Sequence, residues 1–452
     1  MNYKHLTYTI HLYTMRSYLI LILFVLFALP SKSQSLVLSM EKRAETIDLL
    51  LEDKIRNYLP DIMRREGLDM WVIISREYNE DPVIKTMLPA TWLAARRRTI
   101  LIIYDNGSEL ETLAVARYDV GTLFKKSWDK ENQPNQWARV AEIINERNPG
   151  KIGVNQSDDY GLADGIVATD LEELKKALGK QASKIVSAEK VAVGWLETRT
   201  EMEMIFYPQI CRIAHEIIKE AFSTKVIQPG ITSTDDVVWW MRERIRALKL
   251  TTWFHPSVSI QRADSQLFDQ IQTFSNSSEK NIILPGDLLH CDFGITYLRL
   301  NTDTQQHAYV LKAGETEAPD YLKTALKNGN RLQDIFTNNF MEGRTGNEVL
   351  KMSRNQAIEE GITPSIYTHP IGYHGHAAGT TLGMWDSQGG VPGSGDYPLH
   401  LNTAYSIELN AAIFIKEWNK EIRVMLEEEA FFDSSGVNYI DGRQTILHLI
   451  SQ

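Results

Sequence analysis

The second half of the sequence repeats one order of predicted elements, and this repeat restricts the possible folds more than any other feature. In the first copy, apolar residues at helical spacing start after Pro208 and stop at Pro229. Residues 232–235 then supply an N-cap for a second helix that ends near Leu248.

The second copy follows the same order. Helical spacing runs from Leu322 to Phe336 and breaks at Gly343. Thr345 and Glu348 form a predicted capping box for a helix that ends near Gly361. Each copy continues into strands that carry acidic residues, so the sequence predicts a pseudo-twofold repeat.

The strands after the first copy place two carboxylates in apolar surroundings. Asp292 lies in the apolar run 288–294, and Asp303 follows eleven positions later. If the intervening residues fold back as an antiparallel hairpin centred on Tyr297 and Leu298, the two carboxylates lie side by side. Because like charges on one sheet face repel each other, a cation is the simplest compensation.

The strands after the second copy repeat this arrangement with glutamates. Glu408 and Glu427 each interrupt an apolar run, and their midpoint lies at 417–418, inside the polar segment 416–420. Such a segment suits a hairpin turn. Two facing buried carboxylates are costly, so the pair again calls for a cation.

Three histidines lie between the two acidic hairpins, in a glycine-rich stretch at 369–379. A single histidine is more often a structural residue, but the group of His369, His374 and His376 predicts at least one metal ligand. Four carboxylates and one imidazole would hold two divalent ions and supply a hydroxide nucleophile at neutral pH.

The first half of the chain has a different character. Helix and strand patterns alternate from about residue 41 to 190, with an amphipathic helix that ends near Pro60 and strands predicted at 70–75, 99–104, 112–116 and 151–154. This segment shows no obvious catalytic cluster. The sequence therefore predicts an α+β protein with an α/β domain at 35–192 and a metal-binding domain at 193–452.

Residues 1–34 have the pattern of a secretory signal peptide. Arg16 precedes an unbroken apolar run from Tyr18 to Leu29, and polar residues follow as far as Gln34. The run is shorter than the roughly 20 apolar residues of a membrane-spanning helix. We therefore expect export to the periplasm or the medium without stable membrane insertion after signal removal, and an uncleaved anchor is the alternative.

The charge balance restricts the class of partner. The chain carries 48 Lys and Arg residues against 58 Asp and Glu residues, a net charge of −10. A general nucleic-acid-binding protein needs a basic surface. Short peptides or small molecules are therefore the expected partners.

The order Asp, Asp, His, Glu, Glu resembles that of the pita-bread metallopeptidases, which include aminopeptidase P, prolidase and methionine aminopeptidase. The resemblance covers about 193–432, and the first half resembles the creatinase-like domain of aminopeptidase P and prolidase. In that family an Asp-x-Gly strand precedes a second Asp by eleven residues, as Asp292 precedes Asp303. The ligand histidine follows a Gly and precedes x-x-Gly, which His376 satisfies between Gly375 and Gly379.

The resemblance implies two divalent ions, with manganese, cobalt and zinc as candidates. Asp292 and Glu427 would bridge the ions, Asp303 would chelate one, and His376 and Glu408 would complete the other. Glu408 would also take a proton from the attacking water. His374 is the other catalytic candidate and the rival of His376 as ligand.

The function implied by the resemblance is metal-dependent hydrolysis of short peptides by an Xaa-Pro aminopeptidase or dipeptidase, with a homodimer as an open possibility. The sequence departs from the family at two histidines. Active peptidases carry one about seventeen residues before the first Asp, where this chain has residues 273–277 without histidine. They carry another seven residues after the ligand, and counting from His376 reaches Gly383.

Met425 stands where aminopeptidase P has an arginine near the metal. These departures keep two alternatives open, which are a pita-bread enzyme with a non-peptide substrate, such as a C–N hydrolase or lyase, and a catalytically inactive binding relative. The histidines that remain as spatial substitutes are His255, His307, His369 and His374.

Overall fold

The computed structural model describes residues 37–263 and 281–451. By internal contacts the chain divides into Met1–Ser39 and Met40–Gln452, and the architecture below is that of the second unit. The predicted signal peptide and the segment 273–277 lie outside the described residues. Among the helices of the described ranges, none has the length and apolar character needed to cross a membrane.

The first half forms an α/β domain, as predicted. Its elements are α1 (Met40–Asn57), α2 (Leu59–Arg65), β1 (Met70–Arg76), α3 (Pro82–Met87), β2 (Arg98–Asp105), β3 (Leu110–Val115), β4 (Lys125–Lys126), α4 (Gln136–Arg147), β5 (Ile152–Val154), α5 (Ala168–Leu178) and β6 (Ile185–Ser187). They include all four predicted strands. The six strands form one sheet in the order β4-β3-β2-β1-β5-β6.

The central strand β1 is apolar from Met70 to Ile74 because both faces of this sheet are covered. Trp71 and Ile73 belong to one apolar cluster, whereas Met70, Val72 and Ile74 belong to another. Alternate residues of a strand point to opposite faces, so the two clusters lie on opposite sides of the sheet.

The second half begins with helices of the predicted repeat. The helices described in this half are α6 (Glu189–Glu197), α7 (Glu201–Ala221), α8 (Thr234–Ala247), α9 (Asp320–Thr337) and α10 (Gly346–Glu359). Ser233 caps α8, and Thr345 with Glu348 forms the capping box of α10, so both predicted caps are confirmed. The expected domain boundary at 192–193 falls within α6, and it stays a prediction.

The start of the first repeat helix was predicted wrongly. Helix α7 begins at Glu201, because Thr200 and Glu203 make a reciprocal capping box there. Pro208, which the apolar pattern suggested as the boundary, lies inside the helix. The cap decides the position of the first turn, although the proline removes one backbone donor from the helix.

The described strands of the second half form four small sheets. They are β7 (Ser257–Gln261), β8 (Leu288–Phe293), β9 (Thr296–Tyr297), β10 (Leu300–Asn301), β11 (Thr304–Val310), β12 (Thr363–Ile366), β13 (His369–Pro370), β14 (Thr403–Ser406), β15 (Leu409–Ile415), β16 (Lys420–Leu426), β17 (Glu429–Asp433), β18 (Gly436–Tyr439) and β19 (His448–Ile450). The sheet orders are β19-β11-β8-β7, β12-β15-β16, β13-β14-β17-β18 and β10-β9.

Candidate metal centre

The first acidic hairpin has the predicted form with a different register. Strands β8 and β11 are antiparallel, and the residue opposite Asp292 is Gln305. Asp303 was expected in that position but lies two residues earlier, just before β11. Residues two apart on an extended chain point to the same face, so Asp303 and Gln305 both approach Asp292.

The second acidic hairpin has the predicted register. Strands β15 and β16 are antiparallel with Leu409 opposite Leu426, so Glu408 and Glu427 follow at the next position on each strand. The turn occupies Lys416–Trp418 and Asn419, as the polar segment indicated. An isolated bridge between Gln305 and Glu427 then joins the two hairpins at their acidic ends.

The structure brings the four predicted carboxylates together. Donor atoms of Asp292, Asp303 and Glu427 lie within 4.8 Å of one another, and those of Glu408, Glu427 and His369 form a second such group. Burial, together with the neighbouring negative charges, raises the pKa of Asp303 and Glu427 well above the usual range. Each carboxylate therefore resists ionisation unless a cation is present.

His369 lies among these carboxylates, although the sequence predicted it only as a spatial substitute for a missing family histidine. Its Nε2 atom is 3.7 Å from Oδ2 of Asp303 and 3.7 Å from Oε1 of Glu427. Its Nδ1 atom is 3.0 Å from the carbonyl oxygen of Pro370, which is an acceptor, so Nδ1 carries the proton. Burial lowers the pKa of His369 to about 3, which keeps the ring neutral.

A neutral His369 protonated on Nδ1 turns the lone pair of Nε2 toward carboxylate oxygens. Among the described residues, neither this Nε2 nor the buried Oδ1 of Asp292 has a hydrogen-bond partner. A lone pair facing carboxylates is unfavourable unless a cation lies between them. One imidazole and several carboxylate oxygens form a donor set that suits divalent ions such as manganese, cobalt or zinc.

His376 lies next to His369 on the side of an open cavity of about 490 Å³. It also forms a possible ligand group with Asp303 and His369. Its ring is exposed and meets the ring of His369 edge to face, with centroids 4.7 Å apart. The structure therefore places His376 at the centre, as predicted, but with His369 more deeply buried among the carboxylates.

The structure does not bring His374 to the centre. Within the described part of the chain, His374 is not among the residues that line the cavity. Burial lowers its pKa to about 4, and the charges of Arg199 and Lys85 contribute. Its predicted catalytic role therefore has no geometric support.

Two other histidines considered as substitutes are engaged elsewhere. The Nδ1 atom of His307 is 3.0 Å from the carbonyl oxygen of Leu289, and the backbone N–H of Met425 donates to its Nε2. His255 lies 3.0 Å from a guanidinium nitrogen of Arg242.

An aromatic and apolar wall lines the same cavity as the carboxylates. It consists of Trp253, Phe254, Met384, Trp385, Leu409 and Met425. The indole N–H of Trp253 donates to the carbonyl oxygen of Thr302 at 2.9 Å, and its ring meets His376 at 5.1 Å. A Cβ atom at Gly375 would overlap this indole, so Gly375 is needed for packing.

The sequence contains part of the family's ligand motif at His369, although the spacing of the glycines favoured His376. The family pattern has a ligand histidine, a glycine three residues later and a second histidine seven residues later. Counted from His369, these positions are Gly372 and His376, whereas Thr368 stands where the pattern has a glycine before the ligand. The histidine that seemed to be missing after the ligand is therefore present when the motif starts at His369.

Comparison with known proteins agrees with this fold. The family model for metallopeptidase family M24 matches residues 207–434. The chain is similar to the solved X-Pro aminopeptidase from Thermotoga maritima, with a TM-score of 0.60 and 15% identity over 86% of this chain and 99% of that chain. No curated protein matches the chain.

Two further structures support the same architecture. The Xaa-Pro dipeptidase from Bacillus anthracis has a TM-score of 0.55 and 17% identity over 91% of this chain and 100% of that chain. The prolidase from Pyrococcus furiosus has a TM-score of 0.54 and 14% identity over 85% of this chain and 99% of that chain. These likenesses confirm the fold, a creatinase-like domain followed by a pita-bread domain.

Proposed function

Because the chain belongs to metallopeptidase family M24, whose model matches half of it, we propose that it hydrolyses short peptides of the Xaa-Pro type with two divalent ions. One observation carries the proposal. The unprotonated Nε2 of His369 faces the buried carboxylates of Asp303 and Glu427 at 3.7 Å, an arrangement that a bound cation stabilises.

The proposed ligands are Asp292, Asp303, His369, Glu408 and Glu427. Divalent ions bound by such residues polarise the scissile carbonyl and make water nucleophilic at neutral pH. His369 replaces His376 in the ligand set, because its lone pair already points at the carboxylates. Manganese, cobalt and zinc all suit these donors.

Glu408 is the proposed proton acceptor. Burial and the charge of Asp292 raise the pKa of Glu408 in the metal-free centre, so Glu408 would accept a proton only after a bound ion has displaced the proton that this carboxyl group holds. One of its oxygens accepts a hydrogen bond from Gln305 at 2.8 Å, which holds the carboxylate in place. His376, at the cavity surface beside His369, is the residue we assign to substrate contact.

The wall formed by Trp253, Phe254, Met384, Trp385, Leu409 and Met425 defines the favoured substrates. Burying an apolar side chain against such a wall is worth about 1.5–3 kcal/mol. We therefore propose a preference for peptides whose residues beside the scissile bond are uncharged, and a proline ring meets this requirement.

The test is a substrate panel with purified, metal-depleted protein. Manganese, cobalt or zinc is added back, and amino-acid release from Xaa-Pro dipeptides and tripeptides is measured, with Asp303→Asn as the inactive control. Release that depends on the metal and is absent in the variant supports the proposal. A protein that binds two divalent ions and releases no amino acid from any peptide contradicts it.

We also propose export, on the strength of the apolar run from Tyr18 to Leu29 behind Arg16. Fractionation of cells that express the full chain tests it, and retention of the uncut chain in the cytoplasm contradicts it.

A homodimer is proposed from the family resemblance alone, and light scattering after gel filtration tests it.

A further inference from the structure

Gln305 lies opposite Asp292, in the position where the sequence predicted the carboxylate of Asp303. Its side chain is buried, and its Nε2 atom lies 2.8 Å from Oε1 of Glu408 and 2.6 Å from Oε2 of Glu427. One amide therefore spans two proposed metal ligands that come from different strands.

The orientation of this amide follows from its neighbours. Carboxylates that bind a cation are ionised and only accept hydrogen bonds, so the NH₂ group of Gln305 faces Glu408 and Glu427. Its Oε1 atom then faces Nε2 of His290 at 2.8 Å, and this nitrogen donates. The Nδ1 atom of His290 remains free to accept from the hydroxyl of Ser259 at 3.3 Å.

The result is a directed chain of hydrogen bonds from Ser259 through His290 and Gln305 to the two glutamates. His290 is fully buried on β8, and its two ring nitrogens have different partners, with Nδ1 accepting from Ser259 and the N–H at Nε2 donating to Gln305. That N–H prevents the Gln305 amide from rotating, because a flipped amide would turn NH₂ toward the donor and its oxygen toward the carboxylates.

We propose that Gln305, held in one orientation by His290, is a positioning residue that sets the carboxylates of Glu408 and Glu427 for metal binding. An amide does this without adding a charge to a site that already holds four carboxylates. Each glutamate keeps one oxygen outside the amide contact, and the two carboxylates cannot rotate independently. The inference rests on the metal site of the proposed function.

The neighbouring residue provides a matched control. Gln306 is also buried, its Nε2 donates to Oε1 of Glu428 at 2.8 Å, and its Oε1 faces Nε2 of His448 at 2.8 Å. It therefore makes the same kind of Glu–Gln–His link on the opposite face of β11. Replacing Gln305 with methionine removes three side-chain hydrogen bonds and replacing Gln306 removes two, but only the link through Gln305 reaches the proposed ligands.

The experiment measures Mn²⁺ affinity of the metal-free full chain by calorimetry, together with the unfolding temperature. We expect Gln305→Met to weaken Mn²⁺ binding about 10–100-fold, the range found when residues behind metal ligands are changed. Gln306→Met should lower the unfolding temperature by a similar amount and change the affinity less than about threefold.

A second pair of variants tests the link through His290 if Gln305→Met does not fold. His290→Leu removes the donor to Gln305 and should weaken Mn²⁺ binding, whereas His290→Gln retains an N–H near Nε2 and should restore most of the affinity. Equal losses in the two glutamine variants, or unchanged affinity in Gln305→Met, overturn the inference. A wild-type chain that binds no divalent ion overturns the proposed function instead.

Discussion

The rings of His369 and His376 meet edge to face, with centroids 4.7 Å apart and an angle of 79° between their planes. His369 turns Nε2 toward Asp303 and Glu427, whereas His376 is exposed at the cavity. Two histidines separated by seven residues therefore occupy different environments, one suited to binding an ion and the other to contacting a substrate.

Substitution of His369 should mainly weaken metal binding, whereas substitution of His376 should mainly slow turnover. His369→Ala removes the nitrogen that faces the carboxylates, so we expect Mn²⁺ affinity to fall at least about tenfold. His376→Ala should keep most of that affinity and lower kcat/KM about 10²–10⁴-fold. Calorimetry and steady-state kinetics on the same preparations measure both effects. The reverse pattern would restore His376 as the ligand.

Trp385 offers a test of the apolar wall with little risk to folding, because half of its surface is exposed (50%). Trp385→Ala should raise KM for apolar Xaa-Pro peptides about 5–20-fold and leave kcat nearly unchanged, since the contact is present in both ground and transition states. Trp239→Ala is the control, because Trp239 is 54% exposed and packs against His255 away from the cavity. Similar KM changes in both variants would argue against a specific contact.

The register of the second acidic hairpin could be predicted because its turn is short. Regular pairing continues from the turn at Lys416–Trp418 up to Leu409 and Leu426, so the midpoint of Glu408 and Glu427 marks the turn. In the first hairpin, the small strands β9 and β10 stand between Asp292 and β11. This irregular segment shifts the register of β8 and β11 by two residues, so Gln305 rather than Asp303 lies opposite Asp292.

The choice among the histidines required the structure. His369 lies in β13, a strand of two residues that has no recognisable sequence pattern. Pairing with Ser406 of β14 fixes its position. Gly375 resembled part of a ligand motif, but in the fold it provides space for the indole of Trp253. Sequence spacing therefore predicted which carboxylates lie together, whereas long-range pairing places His369 among them.

Metal binding should release protons near pH 7. Burial and mutual repulsion raise the pKa of Asp303, Glu427 and Glu408, so the metal-free centre retains protons that unperturbed carboxyl groups would have lost. A divalent ion must displace them, so affinity should increase with pH until these groups are ionised. Calorimetry in two buffers with different ionisation enthalpies measures the number released. Heats that are independent of the buffer would show that the carboxylates are already ionised.

His215 should stabilise the fold at low pH and less so at high pH. Burial opposes its charge, but hydrogen bonds to Glu428 at 2.6 Å and Asp441 at 3.0 Å, together with the charge of Glu429, outweigh burial and raise its pKa to about 9.

Because the folded-state pKa exceeds the usual value of about 6.5, the stabilisation is complete below that pH and disappears as pH rises through about 9. His215→Gln should therefore cost roughly 1–3 kcal/mol at pH 6 and much less at pH 10. Thermal unfolding of both proteins across this range measures the difference. His255→Gln is the control. His255 lies beside the cation of Arg242 and its pKa is lowered, so its charge should not stabilise the fold at low pH. A loss in His215→Gln that stays constant with pH would mean that packing, rather than the charge of His215, holds α7 to Glu428.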